Sequence, residues 1–189
     1  MCAAAPVAIA ARSAWALDET EAREHVRATV DEVLALVRAP GASSAKAGQF
    51  RAILERRAAM PQIARFAAGV AWREMNERQQ SGYTDAFSHF VSTVYAKRFQ
   101  EYSGEKIEIG RVRDAGRRGL VVESRVNQPG GGAPIAVEWL VSDRPGRIVV
   151  ADIVIEGVSL LVTQREEIGA MLDSRGGDVE RLISDLAGA

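Results

Sequence analysis

Gly157-Val158-Ser159 is the segment whose residue types and spacing come closest to a catalytic motif. A serine between a predicted strand and a predicted helix could be the nucleophile of a hydrolase, with His25 or His89 as its base. A nucleophile elbow also needs a glycine two residues after the serine, and Leu161 occupies that position. We therefore interpret Ser159 as a helix N-cap, with a secreted serine hydrolase as the weaker alternative.

Other reactive patterns are weaker still. The two histidines have no carboxylates at a recognised spacing, so we predict no metal site and no cofactor. The glycines at 130–132 lack the Lys-Ser/Thr pair of a phosphate-binding loop, which favours a hairpin connection. A basic cluster is interpreted as a charged turn, with contact to an anionic headgroup or membrane surface as the alternative. It consists of Arg111, Arg113, Arg117 and Arg118.

The composition is that of a globular protein. The 189 residues suffice for one domain with a substantial core. Hydrophobic residues make up 47% and charged residues 26% of the chain, which is too apolar for disorder and too charged for an integral membrane protein. The net charge of -1, without a basic-aromatic pattern, argues against a nucleic-acid partner.

Residues 1–16 differ from the rest of the chain. A short apolar run ends in Ala14-Trp15-Ala16, which satisfies the small-x-small rule for signal peptidase and precedes an acidic segment. We interpret residues 1–16 as the remnant of an export signal, with a short apolar helix or a disordered terminus as alternatives. Its removal would also remove Cys2, the one cysteine, which excludes disulfides and thiolate metal sites from the mature chain.

The elements that must position these residues follow from hydrophobic periodicity. Apolar positions at helical spacing predict helices over 18–38, 44–59, 61–68 and 84–102, and again over 159–172 and 178–186. Alternating patterns separated by short turns predict antiparallel strands over 106–113, 120–126, 135–141 and 147–155. We therefore predict a single α+β domain over 17–189: a helical part over about 18–103, a four-stranded antiparallel sheet over about 105–156, and C-terminal helices over about 158–187.

The helix over 84–102 carries an aromatic-rich stripe, namely Phe87, Phe90, Val91, Val94, Tyr95 and Phe99. In the third strand, Ile135, Val137, Trp139 and Val141 share one face. These patterns predict a sheet with one face buried against helices. The ordinary interpretation of the stripe is that it forms part of a solid core.

A longer motif carries a resemblance to a known family. Asp152-Ile153-Val154-Ile155-Glu156-Gly157-Val158-Ser159-Leu160, followed by Arg165, resembles the signature of the MlaC (Ttg2D) family, the periplasmic phospholipid-binding components of bacterial lipid-transport ABC systems. Phe66-Ala67-Ala68-Gly69, Trp72-Arg73 and Gly176-Gly177-Asp178 are also similar to that family. Two positions depart from its pattern, because Ile148 and Gln164 stand where the family usually has aromatic residues.

The resemblance implies a soluble, monomeric, periplasmic carrier without enzymatic activity. Its cargo would be a phospholipid, or a hopanoid-type lipid as in a related branch of the family. Its partners would be an outer-membrane lipoprotein complex and an inner-membrane ABC transporter with its substrate-binding ring, a system that maintains outer-membrane lipid asymmetry. Such a carrier needs an apolar cavity between sheet and helices, because acyl chains must be kept from water.

On that interpretation we expect apolar residues of the helix stripe, the sheet and the signature to contact the lipid tails. They are Phe90, Val94, Tyr95, Val137, Trp139, Ile153, Ile155, Val158 and Leu161, and the family match adds Arg165 as a structural or entrance residue. The alternative from another class is a secreted protein-protein adaptor without a ligand. A solid interior would favour the adaptor, and a cavity of about 300 to 1,000 Å³ or more would favour the carrier.

Overall fold

The computed structural model describes residues 17–101, 104–143 and 146–189. The predicted export signal, residues 1–16, lies outside the described residues. Six α-helices are present in the described part: α1 (Glu19–Arg38), α2 (Ser43–Arg57), α3 (Met60–Ala68), α4 (Glu77–Arg98), α5 (Leu160–Asp173) and α6 (Val179–Ala187). The strands are β1 (Lys106–Asp114), β2 (Leu120–Asn127), β3 (Ile135–Ser142), β4 (Val149–Ile155) and β5 (Val158–Ser159). The predicted α+β class is confirmed.

The sheet is an antiparallel meander in the order β1-β2-β3-β4-β5. It has five strands rather than the predicted four, because the two residues of β5 pair back onto the end of β4. A two-residue strand is too short to show an alternating pattern, which is why periodicity did not predict it.

The largest boundary difference concerns α4, which begins at Glu77 rather than at the predicted residue 84. Asn76 is its N-cap: the Asn76 side chain accepts a hydrogen bond from the amide of Gln79 at 2.9 Å, and the Gln79 side chain accepts one from the amide of Asn76 at 3.0 Å. This capping box satisfies two backbone donors at the helix start. The apolar stripe begins only later in the helix, so periodicity alone placed the start too late.

One face of the sheet is covered by α1. Val26 and Val30 of α1 pack against Val122 and Val141 in a buried cluster that Trp139 also contacts. The predicted burial of one sheet face against a helix is therefore observed here, and the helix that covers this half contacts it through valines. The other face of the sheet carries ion pairs, in which the guanidinium of Arg111 lies 2.7 Å from Glu123 and that of Arg113 lies 2.8 Å from Glu138.

The aromatic stripe of α4 is divided between two packing environments. Phe87 and Phe90 are buried in the main helical cluster with residues of α3, α5 and α6. Tyr95 and Phe99 pack beside Phe50 of α2, and the rings of Phe50 and Phe99 meet edge-on at 5.0 Å. The helical layer reaches the sheet at β4, where the amide of Ala59 donates to the carbonyl of Val150 at 2.9 Å. None of the helices in the described residues is both long and apolar enough to cross a membrane.

Candidate functional site

An apolar cavity of about 150 Å³ lies between β4 and the helical layer. Side chains from α2, α3, α4 and α5 form one wall, and β4 forms the other. The lining residues are Phe50, Ala58, Met60, Ile63, Phe87, Val91, Tyr95, Val150, Ala151, Asp152, Ile153, Leu160, Leu161 and Gln164. The interior is therefore not solid at this point, although the space is smaller than the usual ligand pocket of about 300 to 1,000 Å³.

A β-bulge lies within the part of β4 that lines the cavity. Leu140 pairs with Asp152 and Val141 pairs with Val150, so Ala151 has no partner on β3. An extra residue of this kind bends the strand and increases its local twist. The bulge therefore changes the local course of β4 at the point where residues 150–153 line the cavity.

Three of the residues predicted to contact lipid tails line the cavity, namely Tyr95, Ile153 and Leu161. The structure places the others elsewhere. Phe90 and Val94 belong to the helical core, and Val137 is buried within the sheet. Trp139 packs in the α1 cluster, and its indole N–H donates to the Ser124 hydroxyl at 2.9 Å. Ile155 and Val158 are 37% and 59% exposed. The positions of these residues do not test whether they contact lipid tails, so the set of lipid-contacting residues stays a prediction.

The residues of α4 that line the cavity repeat every four positions. Phe87, Val91 and Tyr95, four residues apart, line the cavity, whereas Phe90 and Val94 pack among the helices. Residues at i and i+4 lie above one another on a helix, so the wide stripe consists of two adjacent lines. Sequence periodicity predicted the stripe but contained no information on which line faces the cavity.

The cavity wall contains a buried amide at Gln164. Its Nε2 donates to the Glu167 carboxylate at 3.0 Å, and its Oε1 accepts no hydrogen bond from any residue that the structure describes. Because a carboxylate can only accept, Glu167 fixes which end of the amide is the oxygen. Nearby, burial raises the pKa of the Tyr95 hydroxyl; the charge of Arg98 opposes this shift and that of Glu167 adds to it. The polar side chains of the lining are therefore Tyr95 and Gln164 near the exposed Glu167, and Asp152 at the end of β4.

The signature motif forms a joint between β4 and α5. Oδ1 of Asp152 accepts hydrogen bonds from the amides of Ile153 at 2.8 Å and Leu161 at 3.0 Å, and Oδ2 accepts one from the Ser159 hydroxyl at 2.7 Å. The Ser159 oxygen in turn accepts from the amide of Val162 at 3.1 Å, as an N-cap does. A carboxylate at a helix N-terminus also interacts favourably with the helix dipole.

The turn between β4 and β5 consists of Glu156 and Gly157. Both have positive φ angles, +49° and +82°, as the two central residues of a type I′ hairpin turn require. The Glu156 carboxylate accepts from the amide of Ala136, and the Glu156 amide donates to the Ala136 carbonyl at 3.0 Å. These two hydrogen bonds attach the turn to the start of β3. The chain then continues through β5 into α5.

The structure does not bring the candidate catalytic residues together. Ser159 bonds directly to Asp152, whereas Nε2 of His25 lies 2.9 Å from the carbonyl oxygen of Arg57. His89 lies on α4 in a different surface pocket. Within residues 17–101, 104–143 and 146–189, no group of three histidine, cysteine, aspartate or glutamate residues is placed to hold a metal ion.

Arg165 lies on the outside of the α3–α5 pair. Its guanidinium carbon is 5.0 Å from the centre of the Phe66 ring, a cation–π geometry, and it also covers Gly69. Phe66, Gly69 and Arg165 come from the two family-like segments, which the fold therefore brings into contact. They line a surface pocket together with Arg65, Trp72 and Arg73.

Comparison with known proteins agrees with these features. The sequence profile of the MlaC protein family matches residues 27–188. The chain belongs to the MlaC family. Its fold is also similar to that of a phospholipid-binding protein from Ralstonia solanacearum, solved in complex with a phospholipid. That match has a TM-score of 0.71 and 26% sequence identity, and it covers 87% of this chain and 94% of the other. As a member of the MlaC family, this chain has its signature residues in a structural joint beside an apolar cavity.

Proposed function

We propose that this MlaC-family chain is a non-enzymatic lipid carrier that holds phospholipid acyl chains in the cavity between β4 and the helices. The observation that carries the proposal is an apolar cavity lined by both layers of the fold, in a chain similar to a protein solved with a phospholipid. Ser159 supports the non-enzymatic part, because its hydroxyl serves as the N-cap of α5.

The energetics of lipid transfer call for such a cavity. Each acyl methylene removed from water contributes about 0.8 kcal/mol, so two long chains represent about 20 kcal/mol of gross transfer free energy. A carrier must keep most of that surface from water while the headgroup stays near the protein surface. The apolar residues of α4 and β4 provide walls of this kind.

The size of the cavity adds a requirement. At about 150 Å³ it is below the usual range of about 300 to 1,000 Å³, so binding of two acyl chains requires the walls to separate. Val91, Tyr95 and Leu161 are only partly buried and line the space, so we expect their side chains to be displaced when cargo enters.

The finer parts of the proposal concern place and partners. We propose that the protein works in the periplasm after export and moves lipid between an outer-membrane lipoprotein complex and an inner-membrane ABC transporter with its substrate-binding ring. The N-terminal segment with its Ala14-Trp15-Ala16 cleavage pattern supports export. Membership of the MlaC family supports the choice of partners.

Lipid extraction tests the carrier function. The purified chain is extracted and its lipid is quantified by mass spectrometry, and we expect phospholipid at near-stoichiometric yield. Leu161→Trp should fill the cavity and lower lipid content, whereas Val162→Trp at the neighbouring exposed position, which does not line the cavity, should leave it unchanged. A lipid-free extract of the unmodified, folded protein would refute the carrier and favour the adaptor.

A further inference from the structure

A second concave site lies at the C-terminal end of α3, on the outside of the α3–α5 pair. It encloses about 280 Å³, and its charged lining side chains are Arg65, Arg73 and Arg165. The aromatic rings of Phe66 and Trp72 complete the walls. The site is separate from the apolar cavity, since the two share no lining residue.

The three guanidinium groups have no carboxylate partner in the described part of the chain, where no Asp or Glu oxygen lies within 4.0 Å of them. This distinguishes them from Arg111 and Arg113, which are neutralised by Glu123 and Glu138. The chain as a whole has a formal net charge of -1. The positive charge at this site is therefore a local feature and does not follow from composition.

The backbone holds the arginines around one space. Gly69 ends α3 with φ +62° and ψ -130°, a conformation that favours glycine, and begins the 3₁₀ helix Gly69–Arg73 next to the guanidinium of Arg165 on α5. The Phe66 ring supports one face of the Arg165 guanidinium at 5.0 Å. The N–H donors at the edge of that guanidinium stay free to bind an anion, as arginine does with phosphate.

Apolar side chains project from the same segment. Val70 is 75% exposed and Phe66 is 38% exposed, and both lie within or next to the 3₁₀ turn that carries Arg73. A free phosphate ion would gain nothing from exposed apolar side chains, whereas a lipid bilayer offers phosphates with hydrocarbon directly beneath them.

We propose that this site is a membrane-docking surface that binds the phosphate groups of anionic phospholipids, with Val70 entering the interface beside them. Arg65, Arg73 and Arg165 bind the phosphates and Phe66 orients Arg165. Docking of this kind would hold the protein on the bilayer from which a lipid leaves or into which it returns. Docking does not require cargo in the apolar cavity. The docking proposal can therefore be refuted while the carrier function stands, and the carrier function can be refuted while docking stands.

Vesicle co-sedimentation with the full chain tests the proposal. The probes are vesicles of phosphatidylcholine alone and of phosphatidylcholine mixed with phosphatidylglycerol. We expect binding to the mixed vesicles only, and binding that weakens between about 0.1 M and about 1 M salt, as the Debye length falls from about 10 Å to about 3 Å. Arg65→Gln/Arg73→Gln should lower the affinity by about twenty-five-fold, since each arginine near an anionic surface contributes about fivefold.

A charge-matched control separates the site from net charge. Arg27→Gln/Arg125→Gln removes two exposed arginines on α1 and on β2 that do not line the site, and should leave vesicle binding unchanged. Val70→Ser should weaken binding without changing net charge. Thermal unfolding of each variant shows whether the arginines act instead on the carbonyl end of α3. Three results would each overturn the proposal. They are equal losses of vesicle binding in both arginine pairs, a loss of stability without a loss of binding in the Arg65→Gln/Arg73→Gln variant, and no binding of the unmodified protein to the mixed vesicles. The proposal is also overturned if the site captures an acidic protein and the Arg65→Gln/Arg73→Gln variant binds vesicles as well as the unmodified protein does.

Discussion

The joint between β4 and α5 makes a quantitative prediction about Asp152. Replacing Asp152 with alanine leaves the amides of Ile153 and Leu161 and the hydroxyl of Ser159 without their acceptor. A hydrogen bond to a charged group contributes about 1.5 to 3 kcal/mol, and the lower end suits this half-buried carboxylate. Two of the freed donors can turn to water, so we expect Asp152→Ala to lower the free energy of unfolding by about 3 kcal/mol.

Matched variants separate charge from geometry. Asp152→Asn keeps an oxygen that can accept from the two amides and loses the negative charge at the start of α5, so we expect a loss of only about 1 kcal/mol. Ser159→Ala removes the N-cap and should also cost about 1 kcal/mol. Because Asp152 and Ser159 share a hydrogen bond, the double variant should lose less than the sum of the single losses.

Urea unfolding followed by circular dichroism measures these differences, and thermal unfolding checks them. For a protein of this size, a loss of 3 kcal/mol corresponds to a decrease in Tm of about 6 to 12 °C. The reasoning is refuted if Asp152→Ala lies within about 0.5 kcal/mol of the unmodified protein, which is the range of neutral surface changes. It is also refuted if Asp152→Asn costs as much as Asp152→Ala, because geometry would then contribute nothing.

Three further predictions concern single positions. Gly69→Ala should lower the free energy of unfolding by about 1 to 3 kcal/mol, because the φ of Gly69 is +62°. Gly169→Ala inside α5 should raise the free energy of unfolding by up to about 1 kcal/mol, because nothing lies within 4 Å of the new methyl group. Urea unfolding measures both changes. Gln164→Met removes a buried acceptor without a partner among the described residues and should raise it by about 1 kcal/mol, and a decrease would contradict this. Burial lowers the pKa of His25 in the folded state. As the pH falls below about 6.5, the unfolded state therefore binds a proton at His25 before the folded state does. The free energy of unfolding should decrease with falling pH until the folded pKa is passed. His25→Gln should remove this part of the pH dependence, and identical pH profiles for both proteins would disprove it.

The sequence was sufficient for most of the fold because its elements are separated by strong local signals. Short turns rich in glycine and proline separate the four long strands, and the structure confirms their antiparallel order. The capping box at Asn76 and Gln79 was also present in the sequence, but the apolar periodicity that begins later in α4 dominated the prediction. The short strand β5 could not be predicted, since its two residues form a strand only through pairing with Val154 and Ile155.

The lining of the cavity was less predictable, because it depends on how the layers meet. Periodicity shows that Val91 and Val94 are both apolar positions of α4, and both pack against the helical core, but only the packing of α4 against its neighbours determines that Val91 also lines the cavity and Val94 does not. The bulge at Ala151 has no sequence signal of its own, yet it lies within the four consecutive residues of β4 that line the cavity. Single-residue registers of this kind are set by tertiary contacts.

The geometry of the signature motif indicates what a match to it can and cannot predict. Asp152 and Ser159 are seven residues apart, and the tight turn at Glu156 and Gly157 brings them to 2.7 Å. Their hydrogen bonds fix the start of α5, and the next residues of that helix, together with Asp152 itself, form part of the cavity wall. A match to the motif therefore predicts that this cavity wall is present and where it lies in the fold. The rest of the wall lies outside the motif, and it includes Gln164, which is one of the two positions, with Ile148, where the sequence departs from the expected family pattern.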